Sequence, residues 1–483
     1  MLITTALLTI VFAIVLLFIV NQNNKALLQL ISGLASGFVL IISSLILANF
    51  ENNLYHFQEL TTYKLDSKLL NFSLSFGLDG ISVYFFFLSA LLIFLCILFI
   101  WSEVKFKEYA INLLIIELFL LIIFSVLDLL LFYIFFEAIL IPMYLVIGIW
   151  GSRERKIRAV YLFFFYTLCG SLLMLIGILY IYSQTGTLNL EYLMSWNFSL
   201  LEQKLLWFAF FFSFSSKIPM FPFHIWLPEA HVEAPTVGSV LLAGILLKLG
   251  VYGFVRFSLT LFPDASLYFS PLMYLLSVIG VIYASLTALR QTDLKRIIAY
   301  SSIAHMNLVT LGIFSFNVIG IEGSIIQSIS HGFVAGGMFL LIGILYDRYH
   351  SRFLYYYGGL VHFMPLYAIF LLIFTFANIA LPGTSSFTGE FLLLTGIYKT
   401  NVITAMVSAL GVILCGSYSL WLYNRMVFGN VKINYTLKFT DLNMREFSIM
   451  LPLFIFIFVM GISPMYFLSY LHLASNSIYL INS

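Results

Sequence analysis

Six residues of this chain carry the chemistry to hold and pass a proton, and each sits where an ordinary charged or titratable group would not. Glu137 lies in LLFYIFFEAILIPMYL, Lys217 in SSKIPMFPF, Lys248 in GILLKLGVYG, and Glu390 closes ANIALPGTSSFTGE. His305 in YSSIAHMNLV and His331 in QSISHGFVAGG add imidazoles, whose charge changes near neutral pH. A charge at the centre of a bilayer costs about 2.5–3.5 kcal/mol on the insertion scale, so each one needs a partner or a task. Desolvation disfavours a buried ammonium and a nearby carboxylate favours it, so moving the carboxylate switches a lysine between keeping and releasing a proton. The chemistry expected is a relay: Glu137 with Lys217, then Lys248, His305 and His331 in sequence, with Glu390 at the exit. Glu117, in INLLIIELFLL, is a weaker candidate because no break, glycine or second polar group surrounds it. An isolated Glu–Lys pair can instead lock helix packing, and a lone histidine is ordinarily a hydrogen-bonded core residue. Six such groups on six different helices favour transport over packing.

The elements that hold these residues are helices in lipid. Over 483 residues the chain is 62% hydrophobic and 9% charged, whereas soluble domains carry about 25% charged residues. Apolar runs fall at 2-20, 26-49, 81-101, 110-127, 129-149, 158-182, 204-219, 236-258, 271-288, 295-315, 323-345, 364-382, 402-425 and 447-470. Each approaches the ~20 residues that cross a bilayer. The expectation is an all-α membrane protein of about fourteen transmembrane helices in a single membrane domain, 1-483. Of the 23 Lys and Arg residues, sixteen flank loops after odd-numbered helices, five flank loops after even-numbered ones, and Lys217 and Lys248 lie within the membrane. That bias puts both termini on the outer face and the loop from Arg348 through His350 to Arg352 on the inner one. The first run has no basic segment before it and no cleavage signature after it, so it reads as a spanning helix.

Helices seven and twelve are interrupted. Pro219 and Pro222 follow Lys217, and Pro382 and Gly383, with the hydroxyls of Thr384, Ser385 and Ser386, precede Glu390. Broken helices at membrane depth persist only where protein or water satisfies the freed backbone. The breaks recur five helices apart, and five is odd, so a repeat would be inverted, the pattern of secondary transporters. The expected division is helices one to three (1-109), a first five-helix repeat (110-258), a second (271-425), and a connecting loop with the last helix (426-483).

Other chemistries find no support. Cys96, Cys169 and Cys415 each stand alone in apolar runs and read as packing residues, with no C-x-x-C pair. No phosphate-binding glycine loop appears. The net charge of +2 comes with no basic patch, so no nucleic-acid partner is expected. FHIWLPEAHVEAP gathers His224, Glu229, His231 and Glu233, but at spacings that match no zinc pattern. These groups read as helix caps that gate proton uptake at the inner face, and QTDLKRIIAYSSIAHMN as an inner-face anchor leading into helix ten. No metal and no cofactor is expected in this chain.

FFEAILIPMYLVIGIWG, SKIPMFPFHIWLPEAHVEAPTVGSVLLAGILLKLGVYG, QTDLKRIIAYSSIAHMN, ISHGFVAGGMFLLIGILYDR and ALPGTSSFTGEF carry a resemblance. From about Leu70 to Met460 the chain resembles the subunit 4 family of proton-pumping NADH:ubiquinone oxidoreductase, respiratory complex I, antiporter-like subunits related to Mrp-type cation/proton antiporters. The resemblance implies the fourteen-helix antiporter-like fold, and proton-path roles for Glu137, Lys217, Lys248, His305, His331 and Glu390. It also implies that NADH, flavin, iron–sulfur clusters and ubiquinone are bound by other subunits. The partners it implies are the other membrane subunits of the complex, the lipid bilayer and protons. Residues 1-70 match poorly and inherit nothing. EAPTVGSV resembles the mitochondrial and bacterial form better than the plastid one, and the lack of a targeting peptide with 51 Phe, 29 Tyr and only 11 Pro suggests an AT-rich organellar genome, which points to the mitochondrial inner membrane, with the bacterial plasma membrane as the alternative. An Mrp-type antiporter subunit is the alternative function.

Overall fold

The computed structural model describes residues 1–54, 56–67, 70–432 and 440–482. Lys68 and Lys438, both used in the charge count, lie outside them. Lipid offers the backbone no hydrogen bonds, so long apolar runs satisfy their own N–H and C=O groups as helices. In chain order these are α1 (Leu2–Ile19), α2 (Lys25–Ala48), α3 (Ser82–Phe99), α4 (Phe106–Ser125), α5 (Leu129–Ala138), α6 (Leu140–Trp150) and α7 (Lys156–Thr185). The broken pair α8 (Leu200–Lys217) and α9 (Trp226–Glu233) follows. Next come α10 (Thr236–Leu261), α11 (Ser270–Arg290), α12 (Leu294–Ile313) and α13 (Val318–Tyr349). A second broken pair, α14 (Pro365–Asn378) and α15 (Ser385–Thr400), leads to α16 (Val402–Val427), α17 (Met444–Ile462) and α18 (Pro464–Asn482).

Among the described residues, eleven helical spans are long and apolar enough to cross a membrane. The three expected crossings outside that set are α8, α12 and the α14–α15 pair. They hold Lys217, His305 and Glu390, while Glu137, Lys248 and His331 lie on spans inside that set. At the centre, α10 and α13 are buried over their whole apolar windows, whereas α1 and α2 turn most of their surface outward. Two long central helices therefore form the core, and lipid-facing helices pack around them.

The sequence reading missed two elements. An antiparallel hairpin pairs β1 (Gln58–Ser67) with β2 (Leu70–Leu78). Its sequence signal was the alternation Leu70-Asn71-Phe72-Ser73-Leu74-Ser75-Phe76, period two rather than helical. The expected last helix, 447-470, is in fact two. Ser463 leaves the helical region (φ −125°, ψ 62°) because the residue before a proline is sterically pushed out of it, and Pro464 then opens α18.

Both chain ends lie at one end of the bundle. The Met1 amine pairs with Glu59 of β1 at 2.7 Å, Asn52 donates to Ser469 of α18 at 3.3 Å, and the rings of Phe50 and Tyr470 sit 5.8 Å apart. At the opposite end Arg352 is 1% exposed and forks between two carboxylates: Nη2 lies 3.0 Å from Glu233 and Nε 2.8 Å from Asp293. Its Nη1 also donates to the Ser152 hydroxyl at 3.2 Å and to the Val232 carbonyl. This guanidinium ties together the loops after α6 and α13, the end of α9 and the start of α12. Impermeant labelling of single cysteines placed at His350 and at Asn476 in sealed membranes should modify them from opposite sides. Modification of both from one side would overturn the topology.

Candidate functional site

Glu137 and Lys217 meet where two helices are broken. α5 ends at Ala138 and α6 resumes at Leu140, a break at Ile139 that leaves the Phe136 carbonyl without the Leu140 N–H, while Pro142 has no N–H for the Ala138 carbonyl four residues back. The freed Phe136 carbonyl accepts from Lys217 Nζ at 2.8 Å, and the same ammonium lies 3.9 Å above the Phe136 ring. Glu137 is 4.0 Å from Nζ, an ion pair without a direct hydrogen bond. Lys217 is the last residue of α8, and Ile218 turns extended (φ −82°, ψ 113°) ahead of Pro219 and Pro222. Three carbonyls of the opened backbone accept from nearby donors. Trp226 Nε1 donates to the Ser216 carbonyl at 2.9 Å, Met220 N to that of Ser215 at 3.2 Å, and Asn307 to that of Pro219 at 3.3 Å.

Lys248 sits on α10 between two π-helical turns, Leu242–Leu246 and Phe254–Ser258. A π turn skips a regular i→i+4 pairing, which releases a carbonyl and rotates the following face. Lys248 Nζ donates to the Ala243 carbonyl and lies 2.8 Å from His331 Nδ1 on α13. Glycine permits the approach: a Cβ at Gly332 would lie 3.1 Å from the Gly244 carbonyl oxygen and 2.8 Å from the Leu88 side chain. Arg256, one of the five basic residues counted beside loops after even-numbered helices and placed there at a helix end, lies buried in the second π turn, 2.6 Å from Asp79 and bonded to Tyr252 at 3.2 Å.

From His331 the contacts continue. Its ring is 5.8 Å from that of His305 on α12, and His305 Nδ1 is 2.8 Å from Glu390 Oε1 on α15. The order in space is therefore Lys248, His331, His305, Glu390, which corrects the expected order of the two histidines. His305 on α12 is the histidine beside Glu390, and His331 on α13 is the one that meets Lys248 of α10, so the later histidine in sequence comes first. The hydroxyls at the break hold this arrangement, with Ser330 2.7 Å from Ser385 and 2.9 Å from Ser386.

Three polar groups around this line escaped the sequence reading. Gln327 donates to Glu390 at 3.0 Å. Cys415, read as packing, has its sulfur 3.6 Å from His305 Nε2, and Tyr418 donates to it at 2.9 Å. The Cys415–Tyr418 spacing of three on one helix was the available signal. Cys96 is buried in the apolar core and Cys169 is exposed.

The groups of 223–235 disperse. Glu229 pairs with Arg296 at 2.7 Å, Glu233 with Arg352, and His231 stacks on Phe339 at 4.6 Å. His224 packs edge-on to Tyr283 at 5.2 Å. Asp293 caps α12 through the Lys295 N–H, and Lys295 Nζ donates to the Ala234 carbonyl at 2.7 Å, so QTDLKR does anchor that helix. Among the described residues no three His, Cys, Asp or Glu side chains converge on a point that could hold a metal ion. Glu117 is fully buried on α4, apart from the line just traced, and neither of its carboxyl oxygens has a hydrogen-bond partner among the described residues.

Comparison with known proteins adds the following. The family described as NADH:quinone oxidoreductase/Mrp antiporter, transmembrane, matches residues 126–416. NADH-ubiquinone oxidoreductase chain 4 of Marchantia polymorpha is 57% identical over 426 residues, 88% of this chain and 86% of that one. The protein of the same name from Chondrus crispus is 52% identical over 476 residues, 98% and 96% of the two chains. A chain of respiratory complex I from Thermus thermophilus superposes with a TM-score of 0.90 at 31% identity, covering 100% of both. A chain of the Mrp complex from Dietzia sp. gives 0.86 at 19% identity over 99% and 97%, a likeness of fold alone.

The close contact at Gly332 makes the Lys248–His331 distance sensitive to volume. Gly332→Val should force α10 and α13 apart and cost about 1–3 kcal/mol of stability. Thermal unfolding of the purified assembly and its pumping rate should fall together, while Gly148→Val, at a glycine with open space around it, should change neither.

Proposed function

Because the chain belongs to the NADH-ubiquinone oxidoreductase chain 4 family, we propose that it carries protons across the bilayer along the line Glu137–Lys217, Lys248, His331, His305 and Glu390. It is a multi-pass subunit of NADH:ubiquinone oxidoreductase in the mitochondrial inner membrane, where it assembles with the other membrane subunits of respiratory complex I. Oxidation of NADH and reduction of ubiquinone, with the flavin and iron–sulfur clusters they require, fall to other subunits. This chain supplies proton movement.

The observation that carries the reading is the run of contacts from Lys248 through both histidines to Glu390, 2.8, 5.8 and 2.8 Å, along groups that can each gain and lose a proton. Structural ion pairs need only two members and good geometry, whereas this line joins residues from four helices. At its inner-facing start, Lys217 is held by a neutral carbonyl and a carboxylate at 4.0 Å, loose enough for a change at Glu137 to alter which form of the amine is favoured. Close packing keeps bulk water out, so protons pass only where the line is complete.

Glu137→Gln removes the carboxylate that favours the charged lysine, so Lys217 should be trapped neutral. Pumping per assembled complex should fall about tenfold or more, with ubiquinone reduction slowed alongside it. Lys217→Ala should do the same, and the double variant should lose much less than the sum of the two single losses. Near-normal pumping per assembled complex in Glu137→Gln, with reduced amounts of complex, would leave the pair a packing device.

A further inference from the structure

The line described above stops at Glu390, inside the protein. The next buried carboxylate toward the end that holds both termini is Glu322, on the same helix, α13, as Gln327 and His331. Gln327 donates to Glu390, and Glu322 lies five residues further on, about 7.5 Å along the helix axis. Glu322 is 7% exposed, and it is covered by α18. Its Oε1 accepts from the Ser475 hydroxyl at 3.0 Å and lies 2.8 Å from Nδ1 of His472. The His472 side chain is 60% exposed, and its far nitrogen, Nε2, sits 3.3 Å from Asn476 Nδ2 on the outer side of α18.

A second buried carboxylate beneath α18, Asp79, offers a contrast. Its partner is Arg256, at 2.6 Å, and a guanidinium does not give up its proton in a protein. Glu322 faces an imidazole, whose two nitrogens let it accept a proton on one side and release one on the other. One nitrogen of His472 faces the buried carboxylate and the rest of the ring is exposed on the surface of the chain at the end that holds both termini, the arrangement of a proton shuttle.

We propose that Glu322 and His472 form the outer-face release port of this chain, with His472 carrying each proton from the buried carboxyl to water; the proposal rests on the relay reading above. The protonated Glu322 carboxyl gives its proton to Nδ1 of the Nε2–H imidazole, the imidazolium releases the Nε2 proton to solvent, and exchange of the remaining Nδ1 proton for one at Nε2 through solvent, as the exposed ring swings out, restores the starting tautomer. No electrons move and no bond but N–H and O–H changes. Ser475 keeps the carboxylate aimed at the ring while the imidazole swings.

The test uses intact complex in sealed vesicles, with pumping measured per assembled complex at low buffer concentration. His472→Ala should pump about tenfold more slowly, less than the loss expected for a fully enclosed group because water can partly bypass an exposed one. Imidazole added on the side of the termini should restore it, and imidazole on the opposite side should not. His472→Asn, which can still bond Glu322 but cannot shuttle, should show the same loss and the same rescue, and Glu322→Gln the loss without rescue. Slow pumping in His472→Ala that imidazole does not restore would make the residue structural and overturn the proposal. Normal pumping in His472→Ala beside a blocked Glu137→Gln would overturn the port and leave the relay standing. Normal pumping in both would remove the relay itself.

Discussion

A carbonyl freed by a broken helix inside a membrane has no water to turn to, and the rest of this structure follows from how such carbonyls are satisfied. The break between α5 and α6 frees the carbonyl of Phe136, and the first π turn of α10 frees that of Ala243. In each case the donor is a lysine ammonium, Lys217 and Lys248 respectively. The relation works in both directions, since an ammonium in the bilayer is as costly as an unpaired carbonyl. Each defect makes room for the other. A neutral carbonyl is also a partner that does not hold its lysine in one charge state, as a close carboxylate would, and that suits a group required to change charge.

Packing then fixes which groups meet. The close approach of Gly244 and Gly332 sets the separation of α10 and α13, and so the reach of Lys248 to His331. Ser330 with Ser385 and Ser386 sets the height of α15, and with it the level of Glu390 beside His305. At the inner end, one buried guanidinium joins four segments that would otherwise meet only through loops. A lysine in place of Arg352 could not satisfy two carboxylates, a hydroxyl and the Val232 carbonyl at once, because an ammonium has three donors and no planar fork.

Much of the site was legible in the sequence because a charge in an apolar run is conspicuous. Glu137, Lys217, Lys248 and Glu390 stand out by residue type alone, and the prolines near two of them mark breaks. The order of His305 and His331 was not legible, since it depends on which of α12 and α13 turns its imidazole toward α10 and which toward Glu390 of α15, and sequence order says nothing of lateral position. Nor were the π turns: GSVLLAGILLKLGVYGFVRFS carries no proline, and the wide turns arise from the fit of α10 against its neighbours rather than from local preference. Cys415 was missed for a related reason, as a small apolar residue becomes part of a polar site only when His305 and Tyr418 are brought to it. The hairpin was hidden by its apolar content, where alternation over seven residues was outweighed by the long helical runs around it. The split at Ser463 was local and readable, because a proline stood in plain view.

The sequence distances between partners bear on how such a chain is made. A membrane protein enters the bilayer from its N-terminus as it is synthesised, so each residue arrives before everything that follows it. Lys217 finds the Phe136 carbonyl 81 residues behind it, already inserted, and Lys248 finds that of Ala243 five residues behind, in its own helix. Both cations are therefore provided for at the moment of synthesis. His305 is not: Cys415 comes 110 residues later, and Glu390 also lies ahead of it. An imidazole can wait in neutral form where an ammonium could not wait cheaply. The nascent chain thus holds its lysines on backbone it has already laid down and leaves to His305 the position whose partners are still to be made.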